Sequence, residues 1–423
     1  MPQASNLQEA YAQLDPLSPL EGESMDQFYA SRPAHASIDY LINELLIDPS
    51  SDDKTLFTGH RGSGKTTELA RLEMCLSKTH TVIRFDIERR VNLGDVDYAD
   101  LLVALGLEVY RHSQIIDVNL DEKKVEDLRF WYETYVLEED EKRRFKSEVG
   151  AGLNALLGNV SLKLSTESPR RLTVRREAQA NLSNLIERLN DLLQDFQEKT
   201  DRRVLVIVDG LDKVYHLGKV SDLFINGINA LVAPQCRIIY TIPFALYNTN
   251  DFQQVRLSFS RNVVLSNIKV WERDGGRCDE GREFLEEVLE RRLAENVITH
   301  SAKELLVDSC GGLIKEMIAL ARSSVVKALT GRGAGGCIND EDVKYAVRQV
   351  RNTYSGLLTE EHYKELWRID CGGVFLNGPL ARELLHNLSL LQYNGNDAWW
   401  AVHPIIRPLV LNWGEKTGAK KQQ

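Results

Sequence analysis

Gly59-His60-Arg61-Gly62-Ser63-Gly64-Lys65-Thr66 reads as G-x-x-x-x-G-K-[ST], and what flanks it decides the fold. Thr55-Leu56-Phe57-Thr58 before it has strand composition, Thr66 to Leu76 after it has helical periodicity, and Thr81 to Ile87 (TVIRFDI) reads as a second strand. Strand, glycine loop, helix and strand make a βαβ unit. The spacing has a chemical reason. Glycines let successive backbone N–H groups turn inward on phosphates, and the helix beginning near Lys65 adds its positive end. Lys65 then reaches the β- and γ-phosphates while the Thr66 hydroxyl ligates Mg²⁺.

Further along, Val204 to Val208 (VLVIV) is a five-residue apolar run closed by Asp209, within VLVIVDGLDK. An acidic residue at the carboxyl end of a buried strand beside a phosphate loop is where Mg²⁺ is held. Asp212, three residues on, is placed to orient or deprotonate an attacking water, or else to cap the turn. Cys236 to Ile242 (CRIIYTI) and Asn262 to Val270 (NVVLSNIKV) read as two more strands. Five strands alternating with helices predict a parallel α/β sheet. A helix is expected from His35 on Ile38, Leu41, Ile42, Leu45 and Leu46, and a long amphipathic one on Leu182, Leu185, Leu189, Leu192, Leu193 and Phe196.

Four regions are expected. Residues 1–27 are polar and weakly patterned, an arm left unassigned, with order beginning near Phe28. Residues 28–272 form the core, interrupted by an insertion at about 113–176: a charge-dense stretch, read as a solvated helical face, then the nearly uncharged VGAGLNALLGNVSLKL. Residues 273–330 are helical only (Gly281 to Glu295, Ala302 to Ser309, Leu313 to Leu329). After the glycine-rich linker Thr330 to Gly336, residues 338–423 carry helices at 340–351, 360–369 and 379–388. A hairpin then follows, LLQY and AWWAV about Asn394-Gly395-Asn396-Asp397, which suggests a winged helix.

The composition excludes several classes. With 43% apolar, 27% charged and 11 prolines among 423 residues, the chain is an ordinary globular one. Its 52 basic and 62 acidic residues leave −10, so no overall field draws nucleic acid or anionic lipid. No apolar run approaches the roughly 18 to 20 residues of a membrane helix, and the N-terminus lacks a basic and an apolar signal region. A soluble, cytoplasmic protein without membrane association is expected. The six cysteines are scattered without zinc spacing and read as reduced.

The pairing of GHRGSGKTT with an apolar strand ending in DGLDK resembles the AAA+/STAND branch of P-loop ATPases, and D-G-L-D in particular its NACHT version. The resemblance runs from Phe28 to about Leu329, and more loosely to Val410. It implies ATP and Mg²⁺ as ligands, with nucleotide contacts from Gly59, His60, Arg61, Gly62, Ser63, Gly64, Lys65, Thr66 and Thr67, and Mg²⁺ at Thr66 and Asp209. It implies catalytic roles for Asp209, Asp212, Thr241 (sensor-1, at the tip of RIIYTI) and Lys315 (sensor-2, in CGGLIKEMIALA). Thr241 is alternatively a buried strand threonine, and Lys315 a solvated helix lysine. His403, in Val402-His403-Pro404-Ile405-Ile406-Arg407, matches the winged-helix histidine that senses the ADP β-phosphate, with Pro404 where the family has aspartate. Arg256 and Arg261 are arginine-finger candidates, and Arg32 and Pro33 candidate base contacts. Many AAA+ enzymes place glutamate directly after the magnesium aspartate; Gly210 stands there, which points to slow hydrolysis.

The expected function is an ATP-binding and hydrolysing switch that couples nucleotide state to opening or ATP-dependent homo-oligomerisation. The chain is too short to hold both an effector and a sensor domain, so a separate effector protein is expected, in prokaryotic defence or stress signalling. The alternative is a DNA-associated AAA+ ATPase, a replication initiator, loader or transposition regulator, using the winged helix on duplex. The recognition segment PLARELLHNLSLL offers only Arg382 and His386 to phosphates, so nucleic acid is the less favoured partner. A third reading is a non-hydrolysing scaffold. Lys65 is expected to face solvent until phosphate arrives, so that Lys65→Ala removes ATP binding and leaves the fold intact.

Overall fold

The computed structural model describes residues 3–48, 52–135, 169–214, 217–247, 249, 252–393 and 398–418. Five strands, β1 (Lys54–Gly59), β2 (His80–Asp86), β3 (Arg203–Asp209), β4 (Arg237–Pro243) and β5 (Arg261–Leu265), form one parallel sheet in the order β2-β3-β4-β1-β5. This is the α/β P-loop core expected from the sequence. β1 and β4 are buried along their whole length, and Val204, Leu205, Val206 and Ile207 of β3 are 0% exposed. Such strands read as continuous apolar runs because helices cover both faces of the sheet. The register pairs β2 with β3 from His80 opposite Arg203 to Asp86 opposite Asp209. It pairs β3 with β4 from Leu205 opposite Arg237 to Val208 opposite Tyr240.

The chain divides into two compact units. One comprises Leu41–Thr58 and Leu72–Val263, and so holds most of the sheet. Its helix Leu182–Thr200 buries Leu185, Leu189, Leu192, Leu193 and Phe196 completely. That helix packs on helices Tyr98–Ile115 and Glu122–Tyr135. The second of these corrects the expected solvated face. Arg129 pairs outside with Glu126 and Glu133, while Leu128, Trp131 and Tyr132 are buried inside, the Tyr132 hydroxyl donating to the Val103 carbonyl at 3.0 Å. The charges hid an aromatic face one helical turn apart. Within the expected insertion, residues 136–168 with the uncharged segment lie outside the described residues, and its last residues open helix Pro169–Ala180.

The other unit comprises Met1–Tyr40, Gly59–Arg71 and Val264–Gln423. Helices Asp279–Glu290, His300–Ser309, Ile314–Arg332, Asp340–Leu357, Glu360–Asp370 and Pro379–His386 lead to an antiparallel hairpin, β6 (Leu390–Tyr393) and β7 (Trp399–Val402), and then to helix Arg407–Thr417. The expected turn at 394–397 lies outside the described residues. Three expectations are corrected. The N-terminal segment is ordered: Asn6 caps helix Leu7–Gln13, Ala4, Leu7, Ala10 and Leu14 are fully buried, and this helix packs on Ile314–Arg332. Its apolar set was too short to show a period. The fifth strand stops at Leu265 rather than Val270, because side chains take up the next backbone groups, Arg32 bonding the Ser266 carbonyl and His35 the Lys269 N–H. The glycine-rich linker is not loose. Helix Ile314–Arg332 runs into it, and Ile338 is pinned by backbone bonds to Val297 and Thr299.

Candidate functional site

In the unit that holds it, the phosphate loop leaves β1 at Gly59 and enters helix Lys65–Leu76. Gly62 and Gly64 adopt φ of +87° and +98°, a left-handed backbone that favours glycine. With this backbone the loop N–H groups and the first amides of a twelve-residue helix can converge on an anion. The Ser63 side chain is fully buried and its hydroxyl has no hydrogen-bond partner. An orphaned donor in a loop of this kind fits a phosphate oxygen. Lys65 corrects the expectation of a solvent-facing side chain. It is 5% exposed, and its Nζ donates to the carbonyls of Gly59 (2.9 Å) and His60 (3.0 Å). An ammonium with three donors turns to the nearest carbonyls of its own loop.

His60 is buried, and its Nε2 accepts from the Gln392 N–H of β6 at 2.8 Å. Burial first, and then the neighbouring Lys65 charge, push its pKa down to about 3, so the ring is neutral. The Lys315 N–H donates to the Gly62 carbonyl at 3.1 Å, which sets the expected sensor-2 residue against the phosphate loop. Arg61 is exposed, and the Thr67 hydroxyl accepts from the Leu20 N–H at 3.3 Å. His403 is fully buried and stacks on Tyr354. Its Nδ1 accepts from the Ile405 N–H at 3.2 Å, and burial pushes its pKa down to about 4. Arg32 does not stand as a base contact. Its guanidinium is spent on the carbonyls of Ala36 (2.8 Å), Ser63 (2.8 Å) and Ser266 (3.3 Å), a brace behind the loop.

In the other unit the carboxyl edge of the sheet gathers the acidic residues. The register sets Asp86 beside Asp209. Asp209 is buried and accepts from the Gly210 N–H at 2.8 Å. Asp212 is half-buried in the 3₁₀ turn Leu211–Lys213. That turn is held from both sides. Thr241, fully buried, accepts from the Leu211 N–H at 3.1 Å and donates to the Val208 carbonyl at 3.3 Å. Lys213 Nζ bonds Asp86 (2.8 Å) and Glu88 (3.0 Å), and both carboxylates hold its charged form firmly. Gly210 has φ +93°, a left-handed backbone that favours glycine, and a Cβ there would press on the Asp86 carboxylate. Neither arginine-finger candidate stands free: Arg256 lies over the Tyr247 ring, and Arg261 pairs with Glu44 and Asp53.

Sequence reasoning missed Asp86, Gln392, Tyr393 and Asn267. Asp86 had a signal, since it closes TVIRFDI as Asp209 closes VLVIVD. The other three act at long range and left none.

No family model matches the chain, and no curated protein matches it by sequence. Among solved structures it is similar to a Walker-type ATPase of Pyrococcus abyssi, with 16% identity over 94% of this chain and 99% of that one and a TM-score of 0.48. It is also similar to Cdc6p from Pyrobaculum aerophilum (13%, 97% and 98%, 0.40) and to the Aeropyrum pernix Orc1 protein in complex with DNA (14%, 96% and 96%, 0.44). At such values the likeness carries nothing about activity.

Proposed function

We propose that this chain is a nucleotide-controlled ATPase switch of the AAA+ type. The observation that supports it best is the phosphate loop itself: left-handed glycines at 62 and 64, an orphaned Ser63 hydroxyl, and an ammonium folded onto the loop's own carbonyls. On this reading the loop from Gly59 to Thr67 holds the phosphates and Lys65 transfers its bonds from carbonyls to the β- and γ-oxygens. Thr66 and Asp209 would hold Mg²⁺, which when bound neutralises charge building on the phosphate oxygens. Asp212 orients the attacking water. Thr241 and Lys213 keep its turn in place, and Lys315 adds positive charge over the loop. The absence of a carboxylate at 210 goes with slow turnover.

The test is binding of a fluorescent ATP analogue, followed by phosphate release, for the wild type and for Asp209→Asn and Asp212→Asn. Binding retained with release lost supports the reading; no binding by the wild type overturns it. Unchanged release in Asp212→Asn removes that residue from the mechanism.

Two outputs fit such a switch. Contact with DNA is one; the Aeropyrum pernix Orc1 protein, to which the chain is similar, is in complex with DNA, and at a TM-score of 0.44 that likeness leaves the output to experiment. A separate effector, as in STAND systems, is the other. ATP-dependent duplex affinity that falls steeply between about 50 and 200 mM salt selects DNA. Salt-independent capture of a defined protein partner, with no duplex affinity, selects the effector. Oligomerisation is read from solution mass in ADP and in a non-hydrolysable analogue.

A further inference from the structure

The lysine expected to move when phosphate arrives is bonded to the residue whose ring holds the C-terminal hairpin. Lys65 Nζ donates to the His60 carbonyl at 3.0 Å, and the His60 ring accepts from the Gln392 N–H of β6 at 2.8 Å. Both bonds are buried. A second link runs alongside. The next hairpin residue, Tyr393, donates its hydroxyl to the Gly311 carbonyl at 2.8 Å, shared with Asn267 Nδ2 at 2.6 Å. Four residues on, in the first turn of helix Ile314–Arg332, the Lys315 N–H bonds the Gly62 carbonyl of the phosphate loop at 3.1 Å. The hairpin therefore rests on the loop through His60 and on the loop's neighbour through Gly311.

We propose that His60 is a latch between the phosphate loop and the hairpin, released when a nucleotide phosphate draws the Lys65 ammonium off the Gly59 and His60 carbonyls. The proposal rests on the nucleotide reading above and adds to it where the bound state is read out. The mechanism uses bonds already present. Lys65 cannot serve phosphates and keep both carbonyls, because it has three protons to share. Losing Lys65 leaves the His60 carbonyl with the Ser63 N–H, at 3.1 Å, as its remaining donor; the less firmly held peptide can tilt about that bond, and a ring on a tilted backbone no longer meets the Gln392 N–H. A buried donor left unpaired favours undocking of the strand that carries it. The neutral ring matters here, since a protonated imidazole has no lone pair to accept with. Burial first, and then the Lys65 charge, hold it neutral.

The latch is read at the Gln392 amide itself. Hydrogen exchange of the full chain is followed by mass spectrometry in nucleotide-free protein, with ADP, and with a non-hydrolysable ATP analogue with Mg²⁺. The expected result is about ten-fold faster exchange across Leu390–Tyr393 with the analogue, as one buried hydrogen bond is released. In nucleotide-free His60→Ala the same acceleration should appear at once. His60→Gln, whose side-chain oxygen reaches the Nε2 position, should restore protection. A rise in melting temperature with the analogue, without faster exchange at Gln392, overturns the latch and leaves the nucleotide reading standing. Retained protection in His60→Ala overturns the latch on its own. Failure of the analogue to bind, with protection lost in His60→Ala, removes the nucleotide reading and with it the release mechanism, leaving only the contact.

Discussion

Acid should weaken the unit that carries the phosphate loop and the hairpin, and the size of the effect follows from two buried histidines. His403 titrates at about 4 in the folded chain and His60 at about 3, against an ordinary 6.5. Between those values the unfolded chain binds the proton and the folded one does not, so stability rises with pH through that window. Above about pH 7.5 the contribution is complete; it is lost progressively as pH falls. At pH 5 each histidine sits about 1.5 pH units below its unfolded value, at about 1.4 kcal/mol per unit, or about 2 kcal/mol per histidine relative to pH 8. The perturbation is His403→Asn, because Asn Oδ1 lies where Nδ1 lies and keeps the bond from the Ile405 N–H. Urea unfolding of wild type and variant at pH 8, 6 and 5 isolates that one residue, since every other titrating group is common to both. The variant should lose about 2 kcal/mol less between pH 8 and pH 5. Parallel curves would refute the reasoning, because they would mean that the His403 ring takes up its proton while folded. His60→Gln should behave likewise and keep the bond from Gln392.

Three further outcomes are expected. Lys65→Ala should abolish the nucleotide-induced rise in melting temperature and also lower the nucleotide-free melting temperature by a few degrees, since two loop carbonyls lose a charged donor worth about 1.5 to 3 kcal/mol each at most; an unchanged nucleotide-free melting curve would contradict the buried placement. Lys213→Met should lower the ATPase kcat by on the order of ten- to hundred-fold with KM nearly unchanged, because the Asp212 turn loses its anchor on Asp86 and Glu88, whereas a pure rise in KM would place Lys213 in binding instead. Gly312→Ala should fold poorly, measured as soluble yield and melting temperature: φ is +78° and a Cβ would overlap the Ile268 carbonyl oxygen, so wild-type stability would show that this turn repacks at little cost.

The sheet was legible because parallel strands buried on both faces must be apolar throughout, and VLVIV and RIIYTI can hardly be anything else. The phosphate loop was legible for a related reason: its chemistry needs glycine at positions where φ is positive, and Gly62 and Gly64 take those values. Boundaries were less so. Nothing in NVVLSNIKV announces that Arg32 and His35, more than 230 residues earlier, claim the backbone after Leu265. Nor does MPQASNLQEAYAQLD announce a helix, since one turn and a half of apolar residues gives no period until a partner surface is known.

The same limit explains why the sequence named the right loop and the wrong environment for its lysine. Motif logic describes Lys65 with its phosphates present, where an exposed ammonium waiting for a ligand is the natural picture. Without them, a buried point charge must still be satisfied, and the cheapest donors and acceptors are those of the loop that evolved to surround an anion. The result is a loop whose unliganded form is itself a bonded structure, with Lys65 on the His60 carbonyl and the His60 ring on Gln392. Binding then cannot be a simple addition of contacts, since an ammonium with three protons cannot bond both the β- and γ-oxygens and keep both loop carbonyls. An exchange of that kind changes the geometry of whatever the loop was holding, and what it holds through His60 is the hairpin.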